Sequence, residues 1–290
     1  MLEFVKSCAQ SDMGLQDSVV NEPSHKCYLC RGYSSDGFWY VAPPKGETTF
    51  PNSALCYPRS FMHCRQCNHW TSSLLGRETL NYESEYSTST YGGSVRDRFI
   101  RIVNLSDSES DNQHRVHWIE ARVQRLTESG ASKTVLDIGS GLGVFPYLMT
   151  QHGWKVLAVE PSRHLCSHLR DLQCFEVREG SLESVNSGEV FDLITLNKVI
   201  EHVADPIQML IDARRLLAPF GELYVEVPDG VGAAESGQNR EEFFIEHLHV
   251  FSTKSLENTL VMSGYVVANC DTVIEPSGKF TIRLIARRES

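Results

Sequence analysis

Apolar positions along this chain change period repeatedly, and each change marks an element. Between Asn112 and Ser129, the residues Val116, Ile119, Val123 and Leu126 recur on one helical face, and Gly130 follows. That spacing predicts a helix stopped by glycine. Short β-branched runs then alternate with helical ones. Thr134–Ile138, Lys155–Glu160, Cys174–Val177, Phe191–Asn197 and Glu222–Val227 read as strands. Val144–His152 and Arg163–Leu172 read as helices, as does the segment from Pro206 to Leu217. Proline suits a first helical turn, where its missing N–H is not needed. Gly264–Asn269 and Phe280–Ala286 predict a final antiparallel pair. The alternation predicts an α/β fold with a mostly parallel sheet and an antiparallel C-terminal pair.

One turn in this pattern carries chemistry. Val135-Leu136-Asp137-Ile138 runs into Gly139-Ser140-Gly141-Leu142-Gly143, and a helix follows. A strand end with alternating glycines lets a ligand approach the backbone where a Cβ would collide or forbid the required φ. The spacing is G-x-G-x-G, not the G-x-G-x-x-G of dinucleotide sites. The next strand ends in Glu160, whose carboxylate can accept both hydroxyls of a ribose. Gly180-Ser181-Leu182 and Asn197 fall at the same carboxyl edge, where ligands of such sheets bind.

This set resembles the class I S-adenosylmethionine-dependent methyltransferases. The resemblance continues through Phe191–Asn197 and Glu201-His202-Val203-Ala204-Asp205-Pro206, which is similar to the family's E-H-x-x-D-P. It runs on through Leu217–Pro228 and covers roughly residues 112–290. It implies a Rossmann-like fold and S-adenosylmethionine as methyl donor, held by the glycine turn (Gly139, Ser140, Gly141, Gly143) and Glu160. It places Asp137 near the methionine part and Ser181 and Leu182 beside the adenine. A carboxylate that merely organises the turn is the competing reading of Asp137.

Cys27-x-x-Cys30 and Cys64-x-x-Cys67 are two thiolate knuckles. Together they supply four sulfurs, the donor set of a structural Zn²⁺. The gap between them exceeds the about 15–20 residues of a short ribbon, so an inserted hairpin or loop is expected around Gly37–Tyr40 and Pro43-Pro44. The segment is too polar to bury a core unaided, so a metal would carry its folding energy. His63 and His69 flank the second knuckle and read as bystanders. Cys8, Cys56, Cys166, Cys174 and Cys270 lack partner spacing.

Three histidines compete for a catalytic role. His202 follows the fourth strand beside Glu201. His247 and His249 lie in Glu246-His247-Leu248-His249-Val250-Phe251-Ser252. The E-H-x-x-x-F-S pattern is similar to a segment of the zinc-containing methyltransferases acting on nucleotide-linked deoxysugars, as are the paired knuckles and the segment holding Tyr82, Tyr86 and Tyr91. That resemblance implies His247 as general base with Glu246 orienting it, and His202 as the alternative base. Phe244 stands where that group has a tyrosine.

The organisation expected is a disordered tail over 1–21, a zinc-binding segment over 22–75, a tyrosine-rich lid and acidic linker over 76–111, and the methyltransferase domain over 112–290. A net charge of −10 argues against a protein that neutralises phosphate backbones, and so against nucleic acid as partner. No apolar run has the length of a membrane span. The N-terminus lacks the basic and apolar regions of an export signal, and nine cysteines are an odd number, so the cytoplasm is the expected compartment. The leading reading is methyl transfer to a small hydroxylated acceptor, a sugar or glycan precursor. A ribosomal RNA base methyltransferase and a non-catalytic zinc-ribbon and cofactor-binding module are the alternatives.

Overall fold

The computed structural model describes residues 26–47, 59–74, 94–123 and 133–289. The tail over 1–21 and the tyrosines Tyr82, Tyr86 and Tyr91 lie outside the described residues. A small sheet contains β1 (Ser34–Tyr40), β2 (Arg59–Cys64), β3 (His69–Leu74) and β9 (His249–Val250). The central sheet contains β4 (Thr134–Ile138), β5 (Lys155–Glu160), β6 (Glu176–Glu179), β7 (Phe191–Asn197), β8 (Leu217–Pro228), β10 (Tyr265–Ile274) and β11 (Phe280–Arg288). Its order is β10-β11-β8-β7-β4-β5-β6. The strands β6-β5-β4-β7-β8 run parallel, and β8-β11-β10 are antiparallel. Chain order reverses at β4, which is flanked by β5 and β7, so the ligand crevice opens there.

The helices are α1 (Val95–Val103), α2 (Asp111–Glu120), α3 (Val144–Gln151), α4 (Arg163–Asp171), α5 (Pro206–Arg215), α6 (Gly230–Ser236) and α7 (Thr253–Met262). Side chains alternate across the sheet with period two. Leu136, Ile138, Ile194 and Leu196 join Leu210 of α5 and Leu256 and Leu260 of α7 in one buried layer. Val135, Val156 and Leu193 join Val116, Ile119, Val144 and Leu148 in another. Both faces are covered, as a parallel sheet requires, and truncating such a core leucine typically costs about 2–5 kcal/mol.

Three differences from the sequence pattern have local causes. Of the helix expected over 112–129, the part to Glu120 is helical with Ala121 as its C-cap, Arg122 pairs with Asp271 of β10, and residues 124–129 lie outside the described residues. The acidic linker expected over 76–111 is held in place where it meets α2. The Ser110 hydroxyl accepts from the Gln113 amide as N-cap, and Asp111 accepts from Ser277. The strand expected over 174–177 runs from Glu176 to Glu179, aligned with β5 from Leu157 to Glu160.

The N-terminal segment packs directly on the central unit. β3 pairs with β9, Trp70 opposite Val250 and Thr71 opposite His249. Cys27, Leu29, Cys64 and Cys67 belong to the same buried cluster as Leu196 and Phe251. Ser252 donates its hydroxyl to the Cys67 carbonyl at 2.7 Å and also caps α7. Among the described residues, no helix is long and apolar enough to cross a membrane.

Candidate active-site cavity and cysteine cluster

A cavity of about 650 Å³ opens at the carboxyl ends of β4, β5 and β7. Its first end is built by the glycine turn. Gly139, Gly141 and Gly143 all have positive φ, at +73°, +53° and +78°. A Cβ on Gly143 would come within 2.3 Å of Leu169. Gly139 and Gly141 line the cavity, with Glu160, Ser181, Leu182 and Asn197. Asp137, Ser140 and Gly143 lie outside that lining. Asp137 is buried and held by residues of the neighbouring strand β7. It accepts from the Thr195 hydroxyl at 2.7 Å and the Asn197 amide at 2.8 Å. Burial pushes its carboxyl up to about 6 against those donors. Ser140 donates its hydroxyl to the Asp137 carbonyl, and Gly143 packs under α4.

Glu160 is nearly buried. One carboxylate oxygen accepts the Gly141 amide and the other the Ser162 amide, both at 2.9 Å. Each oxygen keeps a second lone pair for a ligand. The cavity, its lining glycines Gly139, Gly141 and Gly180, and this carboxylate fit an adenosine-bearing ligand. The buried Asn197 Oδ1 in the wall has no partner among the described residues.

The second end is built by the turn after β7 and by residues 241–247. Lys198, Val199, Glu201, His202, Glu241, Glu242, Phe244, Glu246 and His247 line it. Lys198 itself sits at a φ of 55°, its amide bonded to the Glu226 carbonyl. The His202 and His247 rings lie 4.8 Å apart. His202 donates Nδ1–H to the Glu246 carbonyl at 2.9 Å, and His247 donates Nδ1–H to the Glu242 carbonyl at 2.8 Å. A carbonyl only accepts, so both rings present Nε2 as the basic nitrogen. Burial holds His202 down near 4 and His247 well below the usual range. The partner that fixes His247 is thus the main chain of Glu242, not the Glu246 carboxyl. Glu246 is nearly buried, pushed up to about 7 by desolvation, and its Oε2 lacks a partner among the described residues.

Glu201 was not singled out from the sequence. It is fully buried, neither carboxylate oxygen has a hydrogen-bond partner among the described residues, and desolvation pushes it up to about 8. Its sequence signal is its place before His202 at the head of the E-H-x-x-D-P segment.

The four knuckle cysteines converge. Cys27 and Cys67 sulfurs are 3.6 Å apart, Cys30 and Cys64 sulfurs 3.4 Å, and all four lie within 4.8 Å of one another. A tetrahedron of Zn–S bonds near 2.3 Å has edges of about 3.8 Å, so the donor set fits that ion. His63 stacks on Trp70, and His69 pairs with His249 at 3.1 Å; neither belongs to the sulfur cluster.

The fold and cavity define a nucleotide-binding α/β protein of the methyltransferase type. Residues 111–269 match the family described as Methyltransferase domain, and the chain belongs to it. The chain is 30% identical over 120 residues to a ubiquinone biosynthesis O-methyltransferase of Pseudomonas fluorescens, a match covering 39% of this chain and 50% of that protein. It is 27% identical over 168 residues to an uncharacterised 37.1 kDa transposon protein of Streptomyces fradiae, covering 53% of this chain and 47% of that one. The chain thus spans about half the length of these relatives. Among solved structures, a magnesium protoporphyrin IX methyltransferase of Synechocystis matches with a TM-score of 0.50 at 14% identity, over 69% of this chain and 97% of that one. That likeness concerns the fold.

Proposed function

We propose that the protein transfers a methyl group from S-adenosylmethionine to a small hydroxylated acceptor, a sugar or glycan precursor, and carries one structural Zn²⁺. The observation that carries this reading is the two-ended cavity: Glu160 and the glycine turn at one end, two neutral imidazoles at the other. The donor supplies an activated methyl on a sulfonium, so the chain's task is chiefly alignment. Glu160 accepts the ribose hydroxyls, Gly139 and Gly141 leave room for the backbone approach, and Ser181 and Leu182 border the adenine. His247 takes the acceptor's proton at Nε2, its tautomer held by the Glu242 carbonyl. His202, fixed by the Glu246 carbonyl, is the neighbouring base. Cys27, Cys30, Cys64 and Cys67 hold the zinc. The O-methyl transfer named for the Pseudomonas relative supports oxygen as the methylated atom. A screen with labelled methyl donor against nucleotide sugars, glycans and RNA tests the reading. Incorporation into sugars is expected; incorporation only into RNA would overturn the acceptor assignment.

A further inference from the structure

The cavity's charges are unevenly paired. Its lysines are engaged: Lys198 lies 3.3 Å from Glu275 and 3.8 Å from Glu226, and Lys279 lies 3.6 Å from Glu241. Glu242 holds Arg240 at 2.8 Å and accepts the Phe280 amide. The fully buried side-chain atoms of the wall that lack a hydrogen-bond partner among the described residues are oxygens: both of Glu201, one of Glu246 and one of Asn197. A buried carboxyl without donors is costly unless a ligand brings the missing charge. The fold also fixes where Glu201 stands, because its carbonyl accepts both the Leu248 and the His249 amides.

Resting on the proposed methyl transfer, we propose that Glu201 is the charge partner of the donor's sulfonium and the final holder of the proton removed from the acceptor. In the balanced step the acceptor O–H bond breaks and an O–CH₃ bond forms. The CH₃–S bond breaks with its electron pair left on sulfur, and the proton passes through His247 Nε2 to a Glu201 oxygen. One positive sulfur and one carboxylate become a neutral thioether and a neutral acid, so the buried site ends without a net ion. A proton left on His247 or His202 would strand a cation where burial already disfavours it. The groups facing Glu201 allow this. His202 Nε2 stands 3.9 Å from it, and a His247 ring nitrogen lies within 4.8 Å. Lys198 favours its ionised form while Glu226 opposes it, and Glu246 adds a second carboxyl across the cavity.

The test needs no acceptor. Before donor binding, burial keeps Glu201 protonated near neutral pH; a sulfonium in the cavity favours the carboxylate and expels that proton. S-Adenosylhomocysteine keeps the α-amino-acid group and the nucleoside but lacks the methyl group and has a neutral sulfur. Calorimetry of both compounds in buffers of different ionisation enthalpy counts the protons released. The methyl donor is expected to release up to about one proton more than the product near pH 7. In the unaltered protein this excess should fade as pH rises past the point where free Glu201 ionises. Glu201→Gln should abolish the excess, and Glu246→Gln should leave most of it. Equal release by the two compounds, or an excess unchanged in folded Glu201→Gln, would overturn the assignment while leaving the cofactor reading intact. Failure of both compounds to bind would overturn the cofactor reading and this inference with it.

Discussion

The two ends of the cavity are built differently. The donor end is a local structure: one strand, one turn and the end of the next strand bring Gly139, Gly141 and Glu160 together. The acceptor end is assembled from distant pieces. The turn after β7 supplies Glu201 and His202, while residues 241–247 arrive from beyond β8 and α6. These are pinned by hydrogen bonds such as that from the Ser72 amide to the Leu248 carbonyl. The hydrogen bonds that shape the donor end run between the glycine turn, β5 and the turn after it; the acceptor end leans on the N-terminal segment through β3 and β9. Methyl transfer can therefore keep one donor site on a fixed sheet while acceptor choice varies with the surrounding segments.

The largest expected break separates the ends by removing metal. The cysteine cluster lies in the core, and Ser252, which caps α7, bonds to Cys67. Apparent zinc binding in isolated finger peptides is worth about 10–16 kcal/mol, an upper bound for a segment that also packs against a larger unit. Chelation or Cys64→Ser should lower the melting temperature more than any other change named here. It should impair turnover more than S-adenosylhomocysteine affinity. Elemental analysis with melting curves checks it; a metal-free protein with an unchanged melt would refute it.

The next effect falls on the acceptor end alone. His247→Ala should reduce turnover by roughly 10²–10⁴-fold, with donor affinity near that of the unaltered protein. His202→Ala serves as the comparison, since both rings present Nε2. If His202→Ala loses the rate and His247→Ala keeps it, the base is His202.

How far each end could be read from sequence follows from the same contrast. The strands β4, β5 and β7 coincide with their apolar runs because fully buried parallel strands need continuous apolar residues. The glycine turn and Glu160 are neighbours through one β-α-β unit. Nothing local announces that Glu201 is buried, because that depends on β9 and the 246–249 segment folding over it. β1 falls where an inserted hairpin or loop was expected around Gly37–Tyr40, but β2 and β3 were hidden: Arg59 is a charge inside β2, buried by pairing with Glu47, so the strand lacks a clean apolar alternation. Asp137, Ser140 and Gly143 carry the reverse lesson. A motif residue can serve the turn and not the ligand.

That lesson gives a smaller prediction. Gly143 has a left-handed φ of +78° and Leu169 fills the space where a Cβ would point. Gly143→Ala should cost about 1–2 kcal/mol from the backbone alone, with more from the shift forced on Leu169. Once folded, the variant should bind the cofactor with little change. A large loss of affinity without loss of stability would place Gly143 at the ligand after all.

The finest test asks whether Glu160 serves the turn, the ribose or both. Its oxygens already accept the Gly141 and Ser162 amides, so Glu160→Ala must loosen the turn whatever it does to ligand. Lost affinity alone is therefore ambiguous. A hydrogen bond to a charged group contributes about 1.5–3 kcal/mol, and a loosened turn could cost as much. A double cycle separates the two. S-Adenosylhomocysteine and its 2′-deoxy analogue are titrated into the unaltered protein and into Glu160→Ala. If the carboxylate accepts the 2′-hydroxyl, the analogue should bind more weakly than the parent in the unaltered protein and nearly equally in the variant. The coupling should fall within the about 0.5–3 kcal/mol seen for directly interacting groups. Turn organisation alone would weaken both ligands by the same factor and leave a coupling of zero. A zero value would leave Glu160 as a carboxylate that shapes the donor end without touching what it holds.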